Sequence, residues 1–156
     1  MREQATEAMV MHASPEACFD TIVDFERYAE WAADVKAVAV ETRDELNRGT
    51  HVTFRVAAFG RSTTYALAYD YSKAPLEISW RQTTGDVTSR LEGHYVFQPT
   101  DDGDTEVGYH LDVELRVPIP GFVKRRAEGR IIHTALTDLR DRVEGRKAPT
   151  PHAGPR

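Results

Sequence analysis

The segment VGYHLDVELRV, residues 107–117, alternates without a break. Val107, Tyr109, Leu111, Val113, Leu115 and Val117 fall on one side, and His110, Asp112, Glu114 and Arg116 on the other. Successive side chains of a strand point to opposite faces, so this run reads as a strand with one apolar and one polar face. Five runs of the same period precede it. Six such strands joined by short turns form an antiparallel meander whose apolar face must be covered.

The inward sets of the other runs are equally regular. They are Val38 and Val40 in VKAVAVE, and Val52, Phe54, Val56 and Ala58 in HVTFRVAAF. Tyr65, Leu67, Tyr69 and Tyr71 follow in TYALAYDY, then Leu76, Ile78 and Trp80 in LEISW. VTSRLEGHYVF adds Val87, Leu91, Tyr95 and Phe97. Turn residues separate the runs at LNRG, FGRS, KAP, TTGD and PTDDGD. One further strand is expected over residues 5–13. Ser14 then caps, and Pro15 opens, a short helix over about 15–23 with Cys18, Phe19, Ile22 and Val23 on its buried side. DFERYAEWAADV continues as a second short helix or turn with Asp24 as its cap. Phe25, Tyr28 and Trp31 recur there at a spacing of three, on one side.

Pro118 and Pro120 end the last strand, and Gly121 releases the chain into a long helix, the element able to cover the sheet. Ile132, Leu136, Leu139 and Val143 share one stripe of that helix. Two turns earlier the same stripe carries Arg125 and Glu128, with Gly129 at its margin. A dry core would have to desolvate both charges, at several kcal/mol each unless they are well paired. Two readings fit. Either the C-terminal half of the helix closes the core while its N-terminal half roofs a pocket, or the first turns overhang the sheet into solvent.

Composition is that of one globular domain, over residues 1–145, with 40% hydrophobic and 29% charged residues. The segment RKAPTPHAGPR, residues 146–156, is expected to be a disordered tail. A net charge of −5, and basic segments without interleaved aromatics, argue against a nucleic-acid partner. No secretory signal and no apolar run of the roughly 20 residues needed to span a bilayer is found, so no integral membrane segment is expected. Cys18 is the one cysteine. It reads as a small buried hydrophobe rather than a nucleophile, and a cytoplasmic location is expected. His94 and His110 share the outward face with Glu92 and Asp112 but lack a tight ligand spacing, so no metal is expected. There is no dinucleotide fingerprint, phosphate loop or GxSxG, and no cofactor is expected.

The order is strand, two short helices, six strands, long C-terminal helix. With ASPEACFDTIVDFERYAEWAADVKAVAV, LEISW, LEGHYVF and VPIPGFVKRRAEGRIIHTALTDLRDRVE, it resembles the START-like (SRPBCC) superfamily, in its bacterial polyketide cyclase/dehydrase and lipid-transport branch. These segments are also similar to coenzyme-Q-binding proteins of that branch. The resemblance covers roughly residues 5–145. It implies an α+β helix-grip fold, START-like and Bet v 1-like: a seven-stranded curved antiparallel sheet around a long C-terminal helix. Two short helices lie between strands 1 and 2. It also implies a cavity for a lipid, polyketide or other apolar molecule.

Pocket-lining candidates are Phe54, Tyr65, Tyr69, Trp80, Tyr95 and Tyr109 from the inward strand faces. Trp31, Phe122, Arg125, Glu128 and Gly129 join them from the helical parts. Several tyrosines on one concave face are informative, because a buried phenol needs a hydrogen-bond partner. The expected function is binding or transport of a hydrophobic small molecule, such as a lipid, quinone or polyketide, by a monomer or homodimer. The alternative is a polyketide cyclase, aromatase or dehydratase using Arg125 and Glu128 with Tyr95 or Tyr109 as acid–base groups. A protein-interaction module is a third, weaker option. No catalytic residue is assigned.

Overall fold

A computed structural model of the chain describes residues 3–58 and 60–145. The expected tail, residues 146–156, lies outside the described residues. Seven strands are formed: β1 (Glu3–Met11), β2 (Val35–Arg43), β3 (Gly49–Ala58), β4 (Arg61–Asp70), β5 (Glu77–Gly85), β6 (Thr88–Pro99) and β7 (Thr105–Leu115). Helix α1 spans Pro15–Val23, a 3₁₀ helix follows over Phe25–Glu30, and helix α2 spans Gly121–Val143. The strands form one antiparallel sheet in the order β1-β7-β6-β5-β4-β3-β2. This is the expected helix-grip architecture, a curved sheet with a C-terminal helix.

Local chemistry sets the element ends. Ser14 Oγ accepts the Ala17 N–H at 3.1 Å, and Pro15 occupies the first turn of α1, where its missing N–H costs nothing. Asn47 turns the β2–β3 connection with φ of 66°, and Gly145 follows α2 with φ of 78°. Register shifts in the β2–β3, β4–β5 and β6–β7 pairs interrupt the ladder, and such bulges bend and twist a sheet.

Burial follows the period of two. In β7, Val107, Tyr109, Leu111 and Val113 are buried, and in β6, Leu91, Tyr95 and Phe97. Two residues read as inward-facing stand outside the core. Leu76 lies just before β5 and is 60% exposed, and Val117 follows the end of β7 and is 41% exposed. Alternation predicts a face only while the strand continues. On the opposite face Asp112 is buried nonetheless, 3.5 Å from the Arg90 guanidinium.

α2 lies against β1 and β7 and meets α1. Ile132, Leu136 and Leu139 are buried, and they form one core with Met11 and Cys18. Burial pushes the Cys18 thiol up to about 11, so it stays protonated at neutral pH.

Candidate functional site: an aromatic cavity under the middle of α2

Because α2 covers one end of the sheet, β3 to β6 keep an apolar concave face that the helix only partly fills. Between them lies a cavity of about 140 Å³. β3 to β7 supply Phe54, Tyr65, Tyr69, Trp80, Tyr95 and Tyr109 to its wall. The 3₁₀ helix and the residues just after it supply Tyr28, Trp31 and Asp34. From α2 come Ile131, Thr134, Ala135 and Asp138. Seven sequence candidates, Trp31, Phe54, Tyr65, Tyr69, Trp80, Tyr95 and Tyr109, thus surround one space.

The other four do not line it. Phe122 is 61% exposed, and Arg125 and Gly129 also face solvent. Glu128 is buried, but its carboxylate lies 3.5 Å from Lys124 Nζ, one turn back along the helix. A Cβ added at Gly129 would meet nothing within 4 Å, and the open space there is solvent rather than cavity. In its first turns α2 therefore turns Phe122, Arg125 and Gly129 to solvent and buries the Lys124–Glu128 pair away from the cavity. Its roof over the cavity is the neighbouring stripe of Ile131, Thr134, Ala135 and Asp138. The acid–base set of Arg125 and Glu128 with Tyr95 or Tyr109 is not assembled.

The aromatic rings touch in sequence around the wall. Tyr95 and Tyr109 have centroids 4.5 Å apart, and Trp80 meets Tyr109 edge-on at 5.7 Å. Tyr69 lies 5.9 Å from Trp80, and Tyr28 lies 4.9 Å from Trp31. The Tyr28 hydroxyl donates to the Ile22 carbonyl, which fixes that ring. Tyr65, Tyr69, Tyr95 and Tyr109 differ. Among the described residues none of their hydroxyls has a protein partner, yet none is sealed from solvent-sized contact. Burial raises all four phenols well above their ordinary range, so they are neutral donors rather than bases.

Asp138 is the polar feature that sequence reading missed. It is 5% exposed, and its Oδ2 accepts the Ala33 N–H at 3.0 Å. Burial raises its pKa above the usual carboxylate range. Asp34 and Asp141 push the same way, against the Ala33 hydrogen bond. The available signal was spacing, since Ile131, Thr134, Ala135 and Asp138 stand at i, i+3, i+4 and i+7. Among the described residues no lysine, arginine or histidine lines the cavity. His94 and His110 stack on the outer face at 5.1 Å, and the described residues contain no group of three or more metal-binding side chains.

Residues 2–144 match the family described as "Polyketide cyclase / dehydrase and lipid transport". The chain belongs to that family. No curated protein matches its sequence. Among solved structures it is similar to a START superfamily protein from Mycobacterium smegmatis, with a TM-score of 0.86 and 24% identity over 93% of this chain and 99% of that one. It is similar to the ZhuI aromatase/cyclase from Streptomyces sp. R1128, with a TM-score of 0.80 and 14% identity over 92% and 94%. A protein from Thermus thermophilus gives 0.79 and 22% over 92% and 98%. At these identities the likeness carries the fold and not the activity. The family match brings no coenzyme-Q specificity. Family and fold fit a protein that binds hydrophobic ligands, and among the described residues no helix is long and apolar enough to cross a membrane.

Proposed function

We propose that the chain is a binding or carrier protein for a small aromatic molecule bearing a polar substituent, held in the cavity beneath α2. The observation that supports this is a set of four wall phenols, from buried Tyr95 and Tyr109 and half-buried Tyr65 and Tyr69, without hydrogen-bond partners among the described residues. Each hydroxyl can exchange water for one hydrogen bond to a guest, a net gain of about 0.5–1.5 kcal/mol. A guest with one or two polar atoms makes those bonds while its ring displaces water from the apolar wall. The size of the void narrows the class. About 140 Å³ is close to the roughly 150 Å³ of a protein cavity known to hold benzene, and below the roughly 300–1,000 Å³ of drug-sized sites. One ring with a short substituent matches it; a diacyl lipid or a fused polyketide would need the sheet and helix to part.

A ring-closing enzyme is the weaker reading. Among the described residues the cavity offers neutral phenols and no cation to polarise a carbonyl, and the expected Arg125 and Glu128 lie elsewhere. Native mass spectrometry of protein purified from its own cells tests the proposal. A single noncovalent adduct that leaves on collisional activation is expected. A bare mass that stays bare against a panel of one-ring phenols and ketones refutes it.

A further inference from the structure

We propose that the cavity is selective for charge as well as size: its guest is a one-ring aryl-alkyl ammonium, with the cation held by Asp138 among aromatic faces. This rests on the binding function proposed above and specifies its ligand. Three observations meet. The first is the free carboxylate oxygen. Asp138 is nine-tenths buried on the cavity wall, and while Oδ2 is taken by Ala33, Oδ1 has no partner among the described residues.

The second is the charge balance. Asp34 also lines the cavity and acts on Asp138 as a like charge. No basic side chain of the described residues answers them from the wall. Arg142, one turn beyond Asp138, is engaged by Glu30 at 2.8 Å. An anionic guest would therefore join two carboxylates with no counter-charge on the wall among the described residues, and like-charge juxtaposition is strongly unfavourable in a desolvated site. A cation supplies what is missing.

The third is the aromatic wall. Trp31, Tyr28, Phe54 and Tyr65 form one ring chain, with successive centroids 4.9 to 5.8 Å apart, and Ala33, whose N–H donates to Asp138 of α2, lies two residues after Trp31. Ring faces attract cations through their quadrupole, more strongly when the site is desolvated. Aromatic faces with an adjacent carboxylate are the elements of an organic-cation site, and an alkyl-linked ring fills the rest of the void. The phenols of Tyr95 and Tyr109 remain for an oxygen on that ring.

The test is a charge series on one skeleton: 2-phenylethylammonium, 2-phenylethanol and phenylacetate. Both tryptophans of the chain, Trp31 and Trp80, line the cavity, so their fluorescence reports occupancy. The ammonium is expected to bind at least about tenfold tighter than the alcohol, and phenylacetate about tenfold or more weaker. In Asp138→Asn, which keeps an acceptor for Ala33, the ammonium-to-alcohol ratio should collapse towards one. Phenylacetate binding as tightly as the ammonium, or a ratio unchanged in Asp138→Asn, overturns the proposal. If none of the three binds but toluene does, charge selection fails while the binding function stands. If toluene also leaves both tryptophans unperturbed, both fail.

Discussion

The indole of Trp80 occupies the space that a side chain at Gly93, its partner on β6, would need. A Cβ on Gly93 would stand 2.7 Å from Trp80 Cζ2 and 2.5 Å from the His110 carbonyl oxygen. Trp80 can thereby lie close to the sheet and meet Tyr95 and Tyr109, at 5.4 and 5.7 Å. The absence of one side chain on β6 sets the position of the cavity floor.

Gly93→Ala therefore overpacks a site where backbone, and not only a mobile side chain, is in the way. A loss of about 1–3 kcal/mol is expected from denaturant unfolding, with a changed tryptophan emission in the folded state. An alanine variant as stable as the parent would show that the sheet yields at this point.

Leu136 is fully buried where α2 closes the core. Leu136→Ala should cost about 2–5 kcal/mol in chemical denaturation, from lost transfer energy and the cavity left behind. A change at Gly129, exposed with open space around it, should not destabilise: Gly129→Ala is expected to gain up to about 1 kcal/mol from helix propensity.

Tyr95→Phe and Tyr109→Phe separate binding from stability. Their hydroxyls have no protein partner among the described residues, so the unfolding free energy should stay within about 0.5 kcal/mol of the parent. Affinity for an oxygenated one-ring guest should fall about two- to tenfold by calorimetry, the range of one neutral hydrogen bond. A large stability loss with unchanged affinity would assign these phenols to the fold instead.

Asp138 makes stability depend on pH with a defined sign. Its folded-state pKa is raised above the ordinary 3.8, chiefly by burial, so the folded protein holds the proton more tightly than the unfolded chain. Between 3.8 and the raised value, stability from this group falls as pH rises, and the penalty is complete above it. Asp138→Asn keeps an acceptor for the Ala33 N–H and carries no charge. It is expected to melt higher than the parent at pH 7 and alike at pH values below 3.8. Equal melting temperatures at both pH values would contradict a desolvated carboxylate.

The sheet was readable because alternation is a strong local signal. Once Tyr65, Leu67 and Tyr69 share a side, their neighbours on adjacent strands follow from register alone. Six of the eleven site candidates come together for that reason, and Trp31 joins them from just after the 3₁₀ helix. The helix was harder, because an amphipathic helix has two flanks and periodicity does not say which neighbour each one meets. The strongest stripe, through Ile132, Leu136 and Leu139, entered the dry core, whereas the mixed stripe through Thr134 and Asp138 met the cavity. Glu128 misled through the same geometry. Its burial is real, but Lys124 accompanies it, and an ion pair formed across one helical turn does not stand out in a hydrophobic pattern.

Diffraction from crystals soaked with p-cresol decides whether the interior void is a binding site. Density for one ring is expected beneath Ile131 and Ala135, beside Trp80, with its hydroxyl within hydrogen-bond distance of Tyr95 or Tyr109. A cavity that stays empty or closed at saturating p-cresol, with the compound bound only on the outer surface, contradicts it.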